Sequence, residues 1–244
     1  RINLEILGKI RVPQFSNKFQ FLFEKVVNTA QDIYNDSKNK NDEATNILLK
    51  SLNLENFIPI SKNTTEKTFY DFLEAGRFDA EFFQPKFDQL EIELNKFDTI
   101  LFKDLVTAPI TSGSTPTAGD HNYYTNSEGG IPFVRAVDII DGRISTDDFN
   151  YITPSVHNTT LKKTQLKQND VLISIAGTVG RCGLFEYDFP ANINQACAII
   201  RFNEDIIKRD YFITFFNSFI GKLLIEKYSR QGVQTNLNLD EVSN

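Results

Sequence analysis

Side chains that donate and accept hydrogen bonds in fixed directions are concentrated in a few turn-rich segments of this 244-residue sequence. Arginine can pair with both acceptors of guanine, and asparagine or glutamine with the two exposed groups of adenine. Hydroxyl and imidazole groups in the same segments can contact phosphate oxygens. The candidates for such contacts are Ser114, Thr115, His121, Asn122, Tyr123, Tyr124, Arg135, Thr178, Arg181, Gln231, Gln234 and Asn236. For the amides among them, turn chemistry or a buried hydrogen bond is the competing interpretation.

Two short turns combine glycine with these side chains. The Gly-Ser-Thr-Pro sequence at residues 113–116 offers backbone amides and two hydroxyls to a phosphate, and a structural turn before a strand is the alternative. Residues 177–183 suggest a phosphate-binding loop, but they lack the Gly-Lys-Ser/Thr ending of a P-loop. We therefore expect either a tight hairpin or a turn that places Thr178 and Arg181 near nucleic acid.

The overall charge does not point to a polyanionic partner. The sequence has 26 Lys and Arg against 32 Asp and Glu, a net charge of −6, which argues against unspecific binding of polyanions. Charges of opposite sign can still segregate to different faces. The largest local excess of basic residues lies at residues 208–230, and Lys162, Lys163 and Lys167 form the second.

No arrangement of residues for catalysis or metal binding is visible. The two histidines, His121 and His157, have no partner at metal-ligand spacing. Cys182 and Cys197 lie in strand-like sequence and are predicted to be buried thiols, with a disulfide or redox pair as the alternative. The Asn-Pro-Pro-aromatic motif of adenine methyltransferases is absent. We expect a protein without enzymatic activity, metal or cofactor of its own.

Membrane association is not expected either. No apolar run approaches the ~20 residues that span a bilayer, and the N-terminal residues lack the pattern of a signal peptide. The sequence therefore predicts a cytoplasmic protein.

A long helix is predicted over residues 14–57. Apolar residues recur there at steps of three and four, which is typical of one apolar stripe, and Ser16 is the candidate N-cap. About 40 residues at 1.5 Å each give a rod of roughly 60 Å. The polar middle, residues 35–42, is expected to be loose or broken, and two ordinary helices are the alternative. The side chains expected to face a partner helix are Phe15, Phe19, Leu22, Val26, Ile33, Leu48 and Leu52.

The remainder of the sequence predicts an α+β fold. Residues 58–98 are a linker with a short helix that begins near Pro85. From residue 99 onwards, short strand-like runs are separated by turns, and a helix is predicted at residues 210–228. Strands and helices do not alternate regularly, so a globular domain of mixed or antiparallel strands is expected at residues 99–244. Asn194 and Gln195, between apolar strands, are expected to be buried amides.

Residues 2–10 and 237–244 are similar to one another, since both have an apolar residue, Asn and Leu followed by an acidic residue. This similarity predicts that the chain is one period of a two-repeat protein, with residues 1–13 ending a preceding repeat. Because the sequence begins with Arg1, we expect a fragment of a longer protein or a half-length subunit.

The order of these motifs resembles the target recognition domain of type I restriction-modification specificity subunits. The motifs that support the resemblance are the turn at 113–116, the segments 131–135, 171–181, 192–195 and 231–237, and an Arg-Phe-Asp-Ala-Glu-Phe-Phe pattern at 77–83. The resemblance implies a recognition domain on a conserved helix, where two such helices pack antiparallel as a spacer between two DNA half-sites. It spans nearly the whole chain.

The same resemblance implies which subunits this chain would bind, and that the chain catalyses no reaction itself. Methyltransferase subunits would bind the helices, and restriction subunits would join through them. S-adenosylmethionine, Mg and ATP would then be bound by those subunits only. A single repeat would need a second repeat or a homodimer to contact a bipartite site in double-stranded DNA. The alternatives are the specificity half of a fused restriction-modification enzyme, and a protein-interaction scaffold that uses the long helix without DNA.

Overall fold

A computed structural model gives the fold, and it describes residues 9, 11–62, 64–116, 122–230 and 237. The chain divides into two compact units, Arg1–Asn46 and Ile47–Asn244. The predicted end of a preceding repeat, residues 1–13, lies mostly outside the described residues. No helix in the described ranges has both the length and the apolar character needed to cross a membrane.

The first unit is built on helix α1, which spans Asn17–Ser51 and continues into the second unit. The Phe19 amide donates to Ser16 Oγ at 3.3 Å, which confirms the predicted cap. The expected break at residues 35–42 was wrong, because the helix is continuous. Side-chain pairs one turn apart, such as Lys40 with Glu43 at 2.8 Å, stabilise the polar middle.

The apolar stripe of α1 is divided between the two units. Leu48 is buried and Leu52 packs against the core cluster that contains Phe87 and Leu90, so these two residues are used within the chain. The five residues of the first unit, Phe15, Phe19, Leu22, Val26 and Ile33, are between 48% and 66% exposed. For these five, contact with a partner helix stays a prediction.

Short strands form two sheets in the described part of the second unit. Their bounds are β1 Thr111–Ser112, β2 Tyr124–Thr125, β3 Ile131–Val134, β4 Ile139–Ile140, β5 Arg143–Ile144, β6 Asn150–Ile152, β7 Asp170–Ser174, β8 Cys182–Phe185, β9 Asn192–Ile193 and β10 Cys197–Ile200. One sheet has the order β1-β10-β7-β8-β5-β4 and the other β2-β6-β3-β9. All pairs are antiparallel except β3 with β9 and β5 with β8. The predicted α+β class with mixed strands is confirmed.

The central strands of the larger sheet are buried on both faces. Every residue of β7, β8 and β10 is buried. Val171 and Ile173 pack with helical residues such as Phe212, whereas Leu172 packs on the other face with Val134 of the smaller sheet. This alternation follows from the two-residue period of a strand and places one core on each side of the sheet.

Helices cover the remaining surfaces. Their bounds are α2 Phe69–Ala75, α3 Pro85–Leu94, α4 Phe102–Leu105, α5 Pro154–Asn158, α6 Arg209–Asn217 and α7 Phe219–Tyr228, with 3-10 turns η1 Ala136–Asp138 and η2 Lys162–Thr164. The single helix predicted at 210–228 is two helices. Ser218 is extended (ψ 166°) and its hydroxyl accepts from the Gly221 amide at 3.2 Å, so it ends α6 and caps α7.

The pattern at residues 77–83 joins the linker to the last helix. The Arg77 guanidinium donates to both carboxylate oxygens of Asp79 at 2.8 and 2.6 Å. It also donates to the Tyr228 carbonyl at the end of α7, at 3.1 Å. The guanidinium carbon lies 4.8 Å from the centre of the Phe82 ring, and Lys227 lies at the same distance. The motif therefore has a structural role in this chain.

Candidate nucleic-acid interface

Four strands of the larger sheet end at a common edge. The residue pairs nearest this edge are Ser112 with Ala198, Cys197 with Ser174, and Ile173 with Cys182. β1 and β7 run into the edge, and β8 and β10 leave it. The segments 113–116, 175–181 and 194–196 therefore meet there, and we call these three segments the loop edge.

Gly113 allows two parts of the loop edge to approach closely. A Cβ atom at this position would lie 2.2 Å from the carbonyl oxygens of Ile193 and Asn194. The Gly113 amide donates to the Cys197 carbonyl at 3.1 Å, and the Gln195 amide donates to Thr115 Oγ1 at 3.4 Å. The tetrapeptide is thus joined to residues 193–197, while Ser114 and Thr115 are exposed.

The 175–181 loop is closed by a buried serine. Ser174 Oγ donates to the Thr178 carbonyl and accepts from the Arg181 amide at 2.9 Å, and Ser174 has no exposed surface. Gly180 has a φ of +86°, and a Cβ there would lie 2.8 Å from Ile225 Cγ2 on α7. The segment connects β7 to β8 as a hairpin, and contacts to β7 and α7 fix its backbone, while its proximity to nucleic acid stays a prediction.

Arg181 differs from other arginines of the second unit. Its side chain is exposed, and in the part of the chain that the structure describes no carboxylate pairs with it. Other arginines of this unit are paired with carboxylates, at shortest nitrogen–oxygen distances between 2.5 and 3.4 Å: Arg77, Arg135, Arg143, Arg201 and Arg209. A guanidinium without an internal partner retains all its donors for an external acceptor. Thr178, on the same loop, is also exposed.

Arg135 follows β3, near the loop edge, but its side chain is engaged within the chain. Its Nε and Nη2 atoms donate to the carboxylate of Asp138 at 3.1 and 2.8 Å. This hydrogen bonding raises the pKa of Arg135 above its usual value. The Asp148 carbonyl also accepts from Nη2. Direct base contact by Arg135 would require it to leave these partners.

The tyrosines predicted to contact DNA belong to the smaller sheet. Tyr123 and Tyr124 pack against the cluster of Phe133, Ile152, Val156 and Leu161. The Tyr124 hydroxyl donates to the Pro116 carbonyl at 3.1 Å, which connects this sheet to the loop edge. Burial raises the pKa of Tyr124. Asn122 is exposed, and its carbonyl accepts from Thr153 Oγ1 at 3.2 Å.

Four of the predicted site residues lie outside the described residues, namely His121, Gln231, Gln234 and Asn236. Leu237 is described and is buried, and its amide donates to the Ile175 carbonyl at 2.9 Å. The chain is therefore in contact with the loop edge at Leu237.

The buried amide of this region is Asn192 and not Gln195. Gln195 is exposed and Asn194 is half-buried, so the expectation of two buried amides was wrong. Asn192 has no exposed surface, and its Nδ2 donates to the Leu161 carbonyl at 2.8 Å and to Thr164 Oγ1 at 3.2 Å. Its Oδ1 lies 2.5 Å from His157 Nδ1. In the sequence, the burial of Asn192 was indicated only by its position within an apolar run.

Metal-ion chemistry finds no support in the described ranges, which contain no group of three His, Cys, Asp or Glu residues able to hold an ion. Cys182 and Cys197 are both buried free thiols, as predicted. The arrangement at the loop edge is one of exposed donors on fixed turns, which suits binding of an acceptor-rich ligand.

A curated protein is similar to part of this chain. The chain is 27% identical over 115 residues to the type I restriction enzyme EcoBI specificity subunit of Escherichia coli, which covers 47% of this chain and 24% of that protein. The resemblance to type I specificity subunits is confirmed. The chain spans about a quarter of the length of this relative in the aligned part. No family model matches the sequence.

Solved structures give further similarities. A crystal structure of the HsdS subunit from Thermoanaerobacter tengcongensis has 14% identity and a TM-score of 0.43, covering 90% of this chain and 45% of that one. A structure on complex assembly and conformational transition of the type I R-M system has 12% identity and a TM-score of 0.44, covering 93% and 45%. The type I S subunit from M. genitalium has 11% identity and a TM-score of 0.39, covering 59% and 32%.

Proposed function

We propose that this chain recognises a short sequence in double-stranded DNA as half of a type I restriction-modification specificity subunit, and that the loop edge contacts the DNA. It has no catalytic group of its own in this proposal. Methyltransferase subunits would modify adenine and restriction subunits would cleave, with S-adenosylmethionine, Mg and ATP bound by those partners in the cytoplasm. The specificity half of a fused restriction-modification enzyme would use the same surface.

The observation on which the proposal depends is Arg181. Within the described residues the exposed Arg181 guanidinium has no carboxylate partner, and its backbone lies on a loop fixed by Ser174 and Gly180, so its donors are available to an external acceptor. Ser114, Thr115 and Thr178 add exposed hydroxyls at the same edge. Fixed donors of this kind suit the acceptor-rich major groove or the phosphate backbone.

Selection from random duplexes tests the proposal. Purified chain, alone and with a type I methyltransferase subunit, is incubated with double-stranded fragments of random sequence, and the retained fragments are sequenced. We expect enrichment of a half-site of a few base pairs. A chain that enriches no sequence at low salt, with or without the methyltransferase subunit, would refute the proposal.

Arg181→Ala tests the site within that proposal. Loss of a base or phosphate contact of this type costs about 1–3 kcal/mol, so DNA affinity should fall by about 5-fold to about 150-fold. Lys38→Ala removes an exposed charge from α1 and should have a smaller effect. Equal effects of the two substitutions would exclude Arg181 from the site.

A protein-interaction scaffold is the second candidate. The exposed apolar stripe at Phe15, Phe19, Leu22, Val26 and Ile33 supports it, as does the net charge of −6. Such a stripe also suits a second repeat or a second copy in the specificity-subunit proposal. Only DNA selection separates the two candidates, since both predict a helical partner.

A further inference from the structure

Lys162 and Lys163 lie beside the loop edge although they are distant from it in sequence. Gln165 forms an antiparallel bridge with Asn192, and the Leu166 amide donates to the Ala191 carbonyl at 2.9 Å. The strand pairing does not extend beyond this bridge, because the lysines lie on the 3-10 turn η2. η2 lies against β1, whose last residue, Ser112, borders the loop edge, so the lysines are placed near that edge.

Buried residues and hydrogen bonds on both sides of these lysines fix the backbone that bears them. Leu161 and Thr164, the residues on either side of the pair, are both buried. The buried Asn192 amide donates to the Leu161 carbonyl and to the Thr164 hydroxyl, which itself donates to the Leu161 carbonyl at 3.1 Å. Lys162 and Lys163 are exposed between these anchors. Their positions are thus as well fixed as those of the loop edge.

Neither ammonium group has a carboxylate partner within the described residues. Some other lysines of the second unit are paired, for example Lys67 with Asp88 at 2.8 Å and Lys86 with Glu226 at 2.5 Å. Two adjacent, unneutralised positive charges on an acidic protein repel one another, which an external anion would relieve. Their place beside exposed hydroxyls and Arg181 indicates that the anion is the one that the loop edge binds.

We propose that Lys162 and Lys163 contact backbone phosphates of duplex DNA flanking the bases that the loop edge contacts. This inference rests on the proposed function. An ammonium group is a compact charge without the fork geometry of a guanidinium, so it binds phosphate without reading bases. The pair therefore adds affinity that depends on salt and is the same for every sequence, whereas Arg181 is placed to add preference.

The test uses the salt dependence of binding by Lys162→Gln/Lys163→Gln. Dissociation constants are measured between about 50 and about 200 mM salt for two probes, a duplex obtained by selection and a duplex of scrambled sequence. Each lost phosphate contact flattens the plot of log K against log salt by about 0.9, so the slope should decrease by about 2. The fold loss in affinity should be equal for both probes.

Lys103→Gln/Lys208→Gln is the matched control. Both lysines are exposed, and they flank the bridge between Val106 and Phe202 at the opposite end of the larger sheet. The control changes the net charge by the same amount and should leave the slope unchanged. Glutamine keeps the side-chain length in both double variants.

The outcomes distinguish this inference from the proposed function. An unchanged slope in Lys162→Gln/Lys163→Gln, with sequence selection intact in the unmodified chain, overturns the inference and leaves the proposed function in place. An equal change in the control overturns it too, since total charge alone would then explain the effect. If the unmodified chain binds neither probe, both proposals fail.

Discussion

Ser174 is the residue on which the geometry of the 175–181 loop most depends. Ser174→Ala would leave the Arg181 amide and the Thr178 carbonyl without their partner. A lost buried hydrogen bond costs about 1–3 kcal/mol, so the free energy of unfolding should fall by that amount in urea denaturation. Affinity for selected DNA should fall as well, because the Arg181 amide loses its partner and only the bond from the Ser174 amide to the Arg181 carbonyl, at 2.9 Å, remains.

A double-mutant cycle shows whether Ser174 acts through Arg181. If it does, Ser174→Ala lowers DNA affinity in the unmodified chain and has little further effect beside Arg181→Ala. Ser174→Thr, which keeps the hydroxyl, should restore binding. Tyr187→Phe is the control. It removes a hydroxyl that donates to the Ile144 carbonyl at 2.8 Å, beyond the other end of β8, and its effect on DNA affinity should be additive with that of Arg181→Ala. Additive losses for Ser174→Ala would show that its role is structural only.

Gly113 gives a stability prediction that does not involve DNA. A methyl group on its Cα would lie 2.2 Å from two carbonyl oxygens, and backbone atoms cannot rotate aside to make room for it. Gly113→Ala should lower the free energy of unfolding by about 1–3 kcal/mol through overpacking. Ser114→Ala, at the exposed neighbour, should stay within about 0.5 kcal/mol. Equal values in thermal or urea unfolding would contradict the close approach of the two turns.

Residue type alone did not separate the candidate side chains. Arg135 and Arg181 both follow or precede strands and look alike in the sequence, but Asp138, three residues after Arg135, accepts from its guanidinium. Asn194 and Gln195 were predicted to be buried amides, whereas the buried amide is Asn192, because an apolar run does not show which of its polar residues points inward. These distinctions depend on tertiary contacts between segments distant in sequence, and such contacts are absent from local patterns.

Two ion pairs that involve helix α3 should contribute differently to stability, because one lysine is buried and the other is exposed. Lys227 on α7 pairs with Glu91 on α3 and is 8% exposed, whereas Lys96 pairs with Glu93 at 2.5 Å and is 59% exposed. Breaking a fully buried ion pair lowers the free energy of unfolding by about 3–5 kcal/mol. Because Glu91 is 39% exposed and is partly screened by solvent, we expect a smaller loss of roughly 2 kcal/mol for Lys227→Ala. Lys96→Ala should cost under about 0.5 kcal/mol. Equal costs in urea unfolding would mean that α3 and α7 are not joined this way.

The periodic elements were predicted well and their ends less so. The stripe of α1 and the strands near 171–174, 182–185 and 197–200 follow from spacing and apolar runs alone. The division at Ser218 was missed because apolar residues continue across it, and only the hydroxyl at a cap position marks the corner. The polar middle of α1 was expected to break, but a helix tolerates polar residues where pairs one turn apart interact.

One thiol lies in each of the two cores that flank the larger sheet of the second unit. Cys182 packs with the helices and Cys197 lies between the sheets. Burial raises the pKa of both thiols, to about 12 for Cys197. Neither should react with a thiol reagent at neutral pH in the folded protein, and both should react together on unfolding. Mass spectrometry after brief labelling measures the extent of reaction. Fast reaction of one thiol in the native protein would show that this cysteine is not buried in its core.

Amide hydrogen exchange, measured with and without a selected duplex, shows directly whether the loop edge contacts DNA. Exchange should be slower at 113–116, 175–181 and 194–196 when DNA is bound, and unchanged at 103–106 and 203–208 at the opposite end of the sheet. Protection confined to that opposite end or to residues 17–46, with the loop edge unaffected, would contradict this contact.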